Sequence, residues 1–288
     1  MTDDATGIGL YDRTAREAAA VVISAYSTSF GLATRLLGPR VRPHVRNIYA
    51  LVRVADEIVD GSAAQAGMPP AGQRRVLDAL ETETLTAIDD GFSANLIVHA
   101  FARTARECGI GADLVQPFFA SMRTDLDVTA HDAGSHDAYV YGSAEVVGLM
   151  CLQTFVNAGA PHPEPADPAL VDGARRLGAA FQDVNFLRDL PHDADALGRD
   201  YLGVTDGAPR ERVLDRIDAD LDAAGSIIPR LPDDCRRAVT AAHDLFTALS
   251  RRLRRAGETT ERIRVPNAVK LGIAVRATTG AAPMRAGS

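Results

Sequence analysis

The stretch RNIYALVRVADEIVD, residues 46–60, decides the fold class. Its apolar residues return at helical spacing, so they predict one face of an amphipathic helix that packs on a core. A polar stripe runs beside that face, because steps of three, four and seven residues return to the same side of a helix. The apolar face consists of Ile48, Leu51, Val52, Ala55 and Val59, and the stripe of Arg46, Tyr49, Arg53, Asp56 and Asp60.

The stripe carries a pair of carboxylates with a defined separation. Asp56 and Asp60 are one turn apart, about 6 Å along the helix axis. Such a pair can share a hard cation such as Mg²⁺, which takes oxygen ligands and bridges to phosphate oxygens. A solvated helix face also explains the pair, since charged side chains usually face water. Taken alone, the stretch leaves both interpretations open.

A second stretch, FQDVNFLRDLPHD at residues 181–193, repeats the pattern with a wider set of oxygen donors. Its polar stripe is embedded among apolar residues, and buried polar groups are costly unless they are paired or bind a metal. Pro191 predicts that the helix bends or ends within this motif. The stripe comprises Gln182, Asn185, Asp189 and Asp193 at steps of three, four and four residues, and its apolar surroundings are Val184, Phe186, Leu187 and Leu190.

The two stripes together suggest one cavity with carboxylates on facing walls. Each stretch also carries an arginine, Arg53 or Arg188, whose planar fork suits phosphate oxygens. Metal ions between the walls could hold a diphosphate and act as Lewis acids on it as a leaving group. Departure of diphosphate from an allylic carbon leaves a carbocation, so the rest of the cavity has to be apolar.

The remainder of the chain has a helical texture, without alternating β-branched runs. Breaks occur at Gly38-Pro39, in the loop 61–70, at 161–165 and at Leu231-Pro232. We therefore predict one all-α domain over residues 1–288 with an ordered core of about 10–280. Helices are expected at about 12–36, 42–61, 71–89, 93–108, 112–128, 137–160, 168–192, 208–228, 232–256 and 263–279.

Composition excludes several classes of protein. The 288 residues carry a formal net charge of −7, which argues against a nucleic-acid binder. Lys270 is the only lysine among the 31 basic residues. A general bias in amino-acid usage explains this preference for arginine better than a need to bind phosphate does. Three widely spaced cysteines favour neither disulfides nor structural zinc. The acidic N-terminus and the lack of long apolar runs predict a cytoplasmic protein.

Two polar clusters allow more than one interpretation. The arginines of residues 251–255 could attract anionic lipid, so peripheral contact with a membrane stays open, although a solvated helix face is the simpler interpretation. The run HDAGSHD at residues 131–137 contains two histidines that could bind a metal, and we predict a solvated loop there. No obligate protein partner is evident.

Several ordered motifs resemble the squalene/phytoene synthase family, the head-to-head prenyl diphosphate synthases. The resemblance runs from about Ser24 to Lys270. Ordered motifs at the expected separations are far more specific than either pair of acids alone. They are YSTSF (26–30), YALVRVADEIVD (49–60), MRTDL (122–126), YVYGSA (139–144), VG (147–148), QDVNFLRD (182–189) and GRDYL (198–202).

The resemblance implies a single-domain isoprenoid synthase bundle with a central apolar cavity and Mg²⁺-dependent chemistry, with Mn²⁺ as the alternative ion. Two prenyl diphosphates would form a cyclopropylcarbinyl diphosphate, which would ionise again and rearrange. By motif matching, the metal ligands are Asp56, Asp60, Asn185, Asp189 and Asp193. Diphosphate and substrate contacts are Ser27, Ser29, Phe30, Arg53, Gln182, Arg188, Arg199 and Tyr201. Tyr139 or Tyr141 would lie near the reacting carbons, and Val147, Gly148 and Met150 along the substrate tunnel.

The sequence favours phytoene synthase, which joins two geranylgeranyl diphosphates without a reductant. Squalene or dehydrosqualene synthase acting on farnesyl diphosphate is the alternative, and NADPH would be needed only if squalene is the product. A terpene cyclase on the same fold, and a non-catalytic subunit that retains the fold, are further alternatives. One departure from the family pattern is Glu145, which stands where a small residue is common.

Overall fold

The computed structural model describes residues 6–27, 29–127, 133–192, 210–257 and 263–286. Every regular element in these ranges is helical, which confirms the all-α prediction. A π-helical turn (Tyr141–Glu145) joins α8 to α9, and a 3-10 turn (Ile228–Arg230) follows α11. The α-helices are α1 (Gly7–Tyr26), α2 (Ser29–Arg35), α3 (Arg42–Val59), α4 (Ser62–Gln65), α5 (Pro70–Asp90), α6 (Leu96–Cys108), α7 (Ala112–Asp127), α8 (Ala133–Val140), α9 (Val146–Asn157), α10 (Pro168–His192), α11 (Arg210–Ile227), α12 (Asp233–Ala256) and α13 (Asn267–Thr278).

The chain divides into two compact units. The first unit is Met1–Leu126 with Met150–Ala166, and the second is Asp127–Leu149 with Asp167–Ser288. Helix α3 belongs to the first unit and helix α10 to the second. The organisation of residues 1–288 as one domain around a central cavity stays a prediction.

In the first unit, α3 packs against α1, α5 and α6. Small side chains at the junction of α1, α3 and α6 allow the helices to approach closely, because alanine adds little beyond the backbone cylinder. The buried Asn47 then fixes α3, since its amide donates to the Ala100 carbonyl oxygen at 3.1 Å and to Thr104 Oγ1 at 3.0 Å. The alanines at the junction are Ala15, Ala19, Ala50 and Ala100.

In the second unit, one face of α10 packs on α11 and α12. The rings of Phe181 and Phe246 are stacked, with centroids 3.7 Å apart. Because this apolar face is buried, the polar stripe of α10 is turned to a different side of the same helix. The core residues that α10, α11 and α12 contribute include Ala180, Val184, Leu187, Leu214, Ile217, Leu221, Phe246 and Leu249.

Helix boundaries depart from the sequence expectations at several places; α1 begins at Gly7 rather than at 12, and the short α4 lies in the loop expected over 61–70. The helix expected over 12–36 is two helices, because Ser27 takes an extended conformation after α1. The helix expected from 137 begins at Ala133, and a π-helical turn interrupts it. The helix expected from 263 begins at Asn267, just after Pro266, whose ring suits the position preceding a helix. The backbone of α10 stays helical through Pro191 to His192.

Candidate functional site

The stripe predicted on α3 forms a network around Arg53. Its guanidinium is ion-paired with Glu57, one turn further along the helix. Glu57 also accepts hydrogen bonds from the Ser62 hydroxyl and from the Ser62 backbone N–H, the latter at 3.0 Å. The Arg53 guanidinium carbon lies 4.4 Å from the centre of the Tyr26 ring. Arg53 is therefore held from two sides, by a carboxylate and by an aromatic face.

The C-terminal end of α1 meets this stripe at Tyr49. The Tyr49 hydroxyl is hydrogen-bonded to the Ser27 side chain, while burial raises the pKa of Tyr49. Ser27, predicted to contact diphosphate, therefore lies beside the stripe that carries Arg53. The side chains of Ser29 and Phe30, which were predicted to contact substrate, lie outside the part of the chain that the structure describes.

Asp56 and Asp60 provide the carboxylates of the first unit. The pKa of Asp56 is raised to about 7, chiefly by burial, with Arg53 opposing the rise and the charges of Asp60 and Glu57 adding to it. Asp60 is the exposed residue that ends α3. A partly buried carboxylate next to others of like charge is stabilised by a cation, so these donors fit a divalent metal ion.

Two arginines on the same stripe keep unused donors. The Nε atoms of Arg46 and Arg53 are buried and have no hydrogen-bond partner in the described ranges of the chain. A guanidinium N–H that is removed from water without an acceptor costs free energy, so an oxygen ligand at this stripe would be favoured. The stripe on α3 thus combines oxygen donors that suit a metal ion with N–H donors that suit phosphate.

The stripe predicted on α10 is also formed. Gln182, Asn185 and Asp189 are all partly buried on this helix. The Arg188 guanidinium binds both carboxylate oxygens of Asp189, with Nε–Oδ1 and Nη2–Oδ2 distances of 3.0 and 2.5 Å. The structure therefore pairs the predicted phosphate-binding arginine with a predicted metal ligand. The predicted residues Asp193, Arg199 and Tyr201 lie outside the described residues.

The two candidate tyrosines occupy different surroundings. Tyr139 is 6% exposed and belongs to an apolar cluster with Val140 and Phe186, the two rings lying 5.9 Å apart. Tyr141 lies in the π-helical turn, where the Arg175 guanidinium is 5.3 Å from its ring centre. The same Arg175 donates to Glu145 at 2.6 Å. The Glu145 carboxylate is thereby directed to an arginine of α10.

The predicted tunnel residues lie where α9 begins. Gly148 has a packing role, because a Cβ atom at this position would come within 2.8 Å of the Ala174 carbonyl oxygen on α10. Gly178 mirrors it, since its Cβ would come within 2.7 Å of the Ala144 carbonyl oxygen. Val147 is partly buried beside this contact. Met150 is buried. The role of these residues toward a substrate stays a prediction.

Metal-ligating side chains do not gather in threes within the described residues. Each stripe instead presents carboxylate and amide oxygens along one helix, and Asp193, the last acid of the second stripe, is outside the described ranges. The donors present are oxygens, which is the ligand chemistry of Mg²⁺ rather than of zinc. The three cysteines are free thiols, as the sequence predicts.

The structure adds a buried polar cluster that the sequence did not reveal. His136, predicted to lie in a solvated loop, is a buried residue of α8, and this prediction is wrong. Its Nε2 atom lies 3.1 Å from Asp183 Oδ1 on α10. The Arg216 guanidinium from α11 binds Asp183 Oδ2. Only tertiary structure brings residues 136, 183 and 216 together, so no sequence signal could have revealed this cluster. Glu57, by contrast, lies four residues after Arg53 on α3, and that spacing could have identified it as the ion-pair partner.

Two of the four arginines of residues 251–255 make contacts within the protein. Arg254 pairs with Glu211, Asp215 and Asp218 of α11. Arg251 donates to backbone carbonyl oxygens near the C-terminus. In the described part of the chain, none of the helices combines the length and the apolar character needed to span a bilayer.

Comparison with known proteins relates this arrangement to enzymes. A model of the squalene/phytoene synthase family matches residues 23–208. A 15-cis-phytoene synthase from Paracoccus sp. (strain N81106 / MBIC 01143) is 27% identical over 274 residues, which cover 86% of this chain and 85% of that enzyme. A chloroplastic phytoene synthase from Daucus carota is 32% identical over 182 residues, 63% of this chain and 44% of that enzyme.

A solved structure shares the fold. The crystal structure of a dehydrosqualene synthase in complex with ligand superposes with a TM-score of 0.76 at 20% identity, covering 94% of this chain and 98% of that one. At this level of identity the likeness shows the architecture, which is the all-α isoprenoid synthase fold.

Proposed function

The chain belongs to the squalene/phytoene synthase family and is a prenyltransferase, and we propose that it condenses two molecules of geranylgeranyl diphosphate head to head to give phytoene. The proposed sequence has two ionisations, each of which releases one diphosphate. In the first, the allylic cation from one substrate adds to the double bond of the other, and loss of a proton closes the cyclopropylcarbinyl diphosphate. The second is followed by rearrangement and loss of a second proton, which gives the final hydrocarbon. Mg²⁺ is the proposed cofactor, with Mn²⁺ as the alternative.

One comparison supports geranylgeranyl diphosphate as the substrate. The Paracoccus enzyme, whose name states phytoene synthase activity, aligns along 86% of this chain and 85% of its own length. Both acidic stripes lie within the 23–208 segment matched by the family model. A partner subunit that retained only the fold would be expected to have lost acidic ligands, and Asp56, Asp60 and Asp189 are retained.

The stripe on α3 would hold one metal–diphosphate group. Asp56 and Asp60 supply oxygen ligands, and Arg53 offers a buried Nε–H that has no acceptor among the residues that the structure describes. Tyr26 and Glu57 fix the plane of that guanidinium, so its donors are oriented before a ligand arrives. Ser27, beside Tyr49, is a further donor for phosphate oxygens.

The stripe on α10 would hold the other group. Asn185 and Asp189 are the proposed ligands, with Gln182 supporting them and Asp193 completing the set. Arg188 would exchange its contact with Asp189 for a phosphate oxygen, a change that the flexible guanidinium arm permits. When bound, Mg²⁺ supplies Lewis-acid stabilisation of the departing diphosphate.

Tyr139 is the tyrosine that we place near the reacting carbons. It lies in an apolar cluster, and a carbocation survives only where nucleophiles and water are excluded. The aromatic face of Tyr141 is already approached by the Arg175 cation, which makes it a poor partner for a second positive charge. Val147, Gly148 and Met150 are proposed to border the hydrocarbon chain.

The test is incubation of purified protein and Mg²⁺ with geranylgeranyl diphosphate or farnesyl diphosphate, each with and without NADPH. We expect phytoene and two diphosphates per product from the C20 substrate, with no effect of NADPH. The measurements are chromatography of the extracted hydrocarbons and enzymatic determination of diphosphate. Absence of diphosphate release from both substrates would overturn the proposal, and a hydrocarbon cyclised from a single substrate would indicate a terpene cyclase.

A second candidate function is condensation of farnesyl diphosphate. The observation in its favour is the TM-score of 0.76 with a dehydrosqualene synthase along nearly the whole chain. The same incubation separates the candidates, because this enzyme would give a C30 hydrocarbon from the C15 substrate. Formation of squalene only when NADPH is present would identify the reductive branch.

A further inference from the structure

The cluster of the buried His136 and Asp183 with the half-exposed Arg216 joins three helices of the second unit. The His136 and Asp183 side chains are only 8% and 3% exposed. Arg216 Nε and Nη2 both donate to Asp183 Oδ2, at 3.1 and 2.8 Å. A buried carboxylate is tolerated only when it is paired and hydrogen-bonded, so Arg216 provides the neutralising charge.

The second oxygen of Asp183 defines the role of His136. Asp183 Oδ1 and His136 Nε2 are 3.1 Å apart, an ion-pair distance, although neither atom forms a hydrogen bond within the described residues. Because a buried polar atom without a partner costs free energy, loss of either side chain would deprive the other of this contact. The contact therefore ties α8 to α10 at one defined position.

The cluster lies directly behind residues of the proposed site. Tyr139 follows His136 by one turn on α8, and Phe186 follows Asp183 by one turn on α10. The His136 and Tyr139 rings both lie against the Phe186 ring, with centroids 6.2 and 5.9 Å apart. Asp183 also sits between Gln182 and Asn185 in sequence, next to the proposed diphosphate-binding stripe.

We propose that His136, Asp183 and Arg216 are positioning residues that set where Tyr139 stands relative to the polar stripe of α10. This inference rests on the proposed function, because it assigns Tyr139 to the wall of the reaction site. The cluster touches no reacting atom in this proposal. It fixes the register of α8 on α10, so its loss shifts Tyr139 without removing it, and small displacements of reacting groups reduce rates steeply.

The chain offers a matched control in the first unit. His99 Nε2 lies 2.7 Å from Asp12 Oδ1, and these side chains are 0% and 14% exposed. The pair joins α6 to α1 through the same two side-chain types as His136 and Asp183, here with a hydrogen bond, and Arg103 again approaches the carboxylate, at 3.3 Å. None of these residues belongs to either acidic stripe, so His99→Leu reports what loss of such a pair costs in stability alone.

The experiment compares wild type, His136→Leu, His136→Gln, Asp183→Asn and His99→Leu. Steady-state kinetics with geranylgeranyl diphosphate are measured on material shown to be folded by circular dichroism. We expect His136→Leu and Asp183→Asn to lower kcat about tenfold with little change in KM, and to release more cyclopropylcarbinyl diphosphate per product. His136→Gln keeps an N–H donor and should recover most of kcat, and His99→Leu should lower the melting temperature with kcat within about twofold of wild type.

Amide hydrogen exchange gives a second measurement that does not depend on activity. We expect faster exchange in α8 (Ala133–Val140) of His136→Leu and Asp183→Asn, and unchanged exchange there in His99→Leu. Unchanged α8 exchange, or activity losses no larger than that of His99→Leu at equal folded fraction, would overturn the inference. An inactive wild type would instead overturn the proposed function, while the exchange result would still test the cluster.

Discussion

The acidic stripes of α3 and α10 resemble each other in sequence and differ in how their arginines are engaged. On α3, Arg53 is ion-paired with Glu57, a residue outside the predicted metal-binding pair. On α10, Arg188 binds Asp189, which is itself a predicted metal ligand. On α3 the arginine is therefore paired with a residue that is not a predicted metal ligand. On α10 the arginine neutralises a predicted metal ligand.

This difference predicts that the two stripes are not equally ready to bind a metal ion and diphosphate. The α3 stripe contains a carboxylate, Asp56, whose pKa is raised by burial and by neighbouring acids, together with a buried arginine N–H lacking an acceptor. It needs a cation and an anion to be satisfied. The α10 stripe has to break a charge-assisted hydrogen-bond pair before Asp189 can ligate a metal. We therefore expect the α3 stripe to bind its metal–diphosphate group first and the α10 stripe to bind the second group afterwards.

The largest expected effect is loss of turnover on removal of a ligand from either stripe. Asp56→Asn and Asp189→Asn should each lower kcat by about 10²- to 10³-fold, because each removes charge that holds the leaving group's metal ion. The measurement is diphosphate release at saturating Mg²⁺. Asp78→Asn is the control, since Asp78 forms an ion pair with Arg123 away from both stripes. Activity near wild type in both stripe variants would remove the metal-site assignment.

The next effect separates the two arginines. Arg188→Gln should raise KM for the prenyl diphosphate by about tenfold, because a charge-assisted contact worth about 1.5–3 kcal/mol is lost. The same change removes the Arg188 contact from Asp189, so the Mg²⁺ concentration giving half-maximal activity should fall. Titration of activity with Mg²⁺ at fixed substrate measures this shift. A Mg²⁺ requirement that rises instead would break the comparison, because it would mean that Arg188 does not compete for Asp189.

A third effect concerns stability of the metal-free protein. The pKa of Asp56 is about 7 in the folded state against an ordinary value of 3.8, so the folded state binds more protons between those values. The free energy of unfolding therefore falls as pH rises through this window. Asp56→Asn lacks this loss and should exceed wild type by about 1–3 kcal/mol at pH 8.5.

Urea unfolding in EDTA at pH 5.5, 7.0 and 8.5 measures this difference. Asp189→Asn is the comparison variant, because it removes the partner of Arg188 and should be no more stable than wild type at any of these pH values. If Asp56→Asn and wild type lose stability in parallel as pH rises, then burial of Asp56 imposes no such penalty. The contrast between the two stripes would then be wrong in energetic terms.

The sequence predicted both stripe-bearing helices because their apolar periodicity is local. Residues 46–59 and 181–192 fall inside α3 and α10, Asp60 caps α3, and the alternation of apolar and polar faces is enough to place the stripes. The break after Tyr26 was missed, since Ser27 ends α1 without a proline or glycine to announce it. The π-helical turn at Tyr141–Glu145 likewise has no spacing signal.

The contacts of the site were less predictable than its helices. The Arg53–Glu57 ion pair could be predicted because the two residues are four positions apart on one helix. The pairing of Arg188 with Asp189 could not, because it depends on the orientation of the side chains. The cluster around Asp183 joins residues 33 and 47 positions apart, so no local pattern could place His136 in the protein interior. The roles of the site residues stay predictions for the same reason, because they depend on ligands that local sequence does not specify.

The smallest expected effect concerns a second arginine of α10, Arg175. It tests whether the ion pair of Arg175 affects substrate binding, as the pair at Asp189 is expected to do. Arg175 pairs with Glu145 at 2.6 Å but is 49% exposed, and exposed ion pairs contribute about 0–1 kcal/mol. Glu145→Gln should therefore lower the free energy of unfolding by less than about 1 kcal/mol and leave kcat and KM within about twofold. Urea unfolding and steady-state kinetics are the measurements. A large rise in KM would show that Glu145 and Arg175 belong to the substrate-binding stripe, and that Arg188–Asp189 is not the only ion pair of α10 that affects substrate binding.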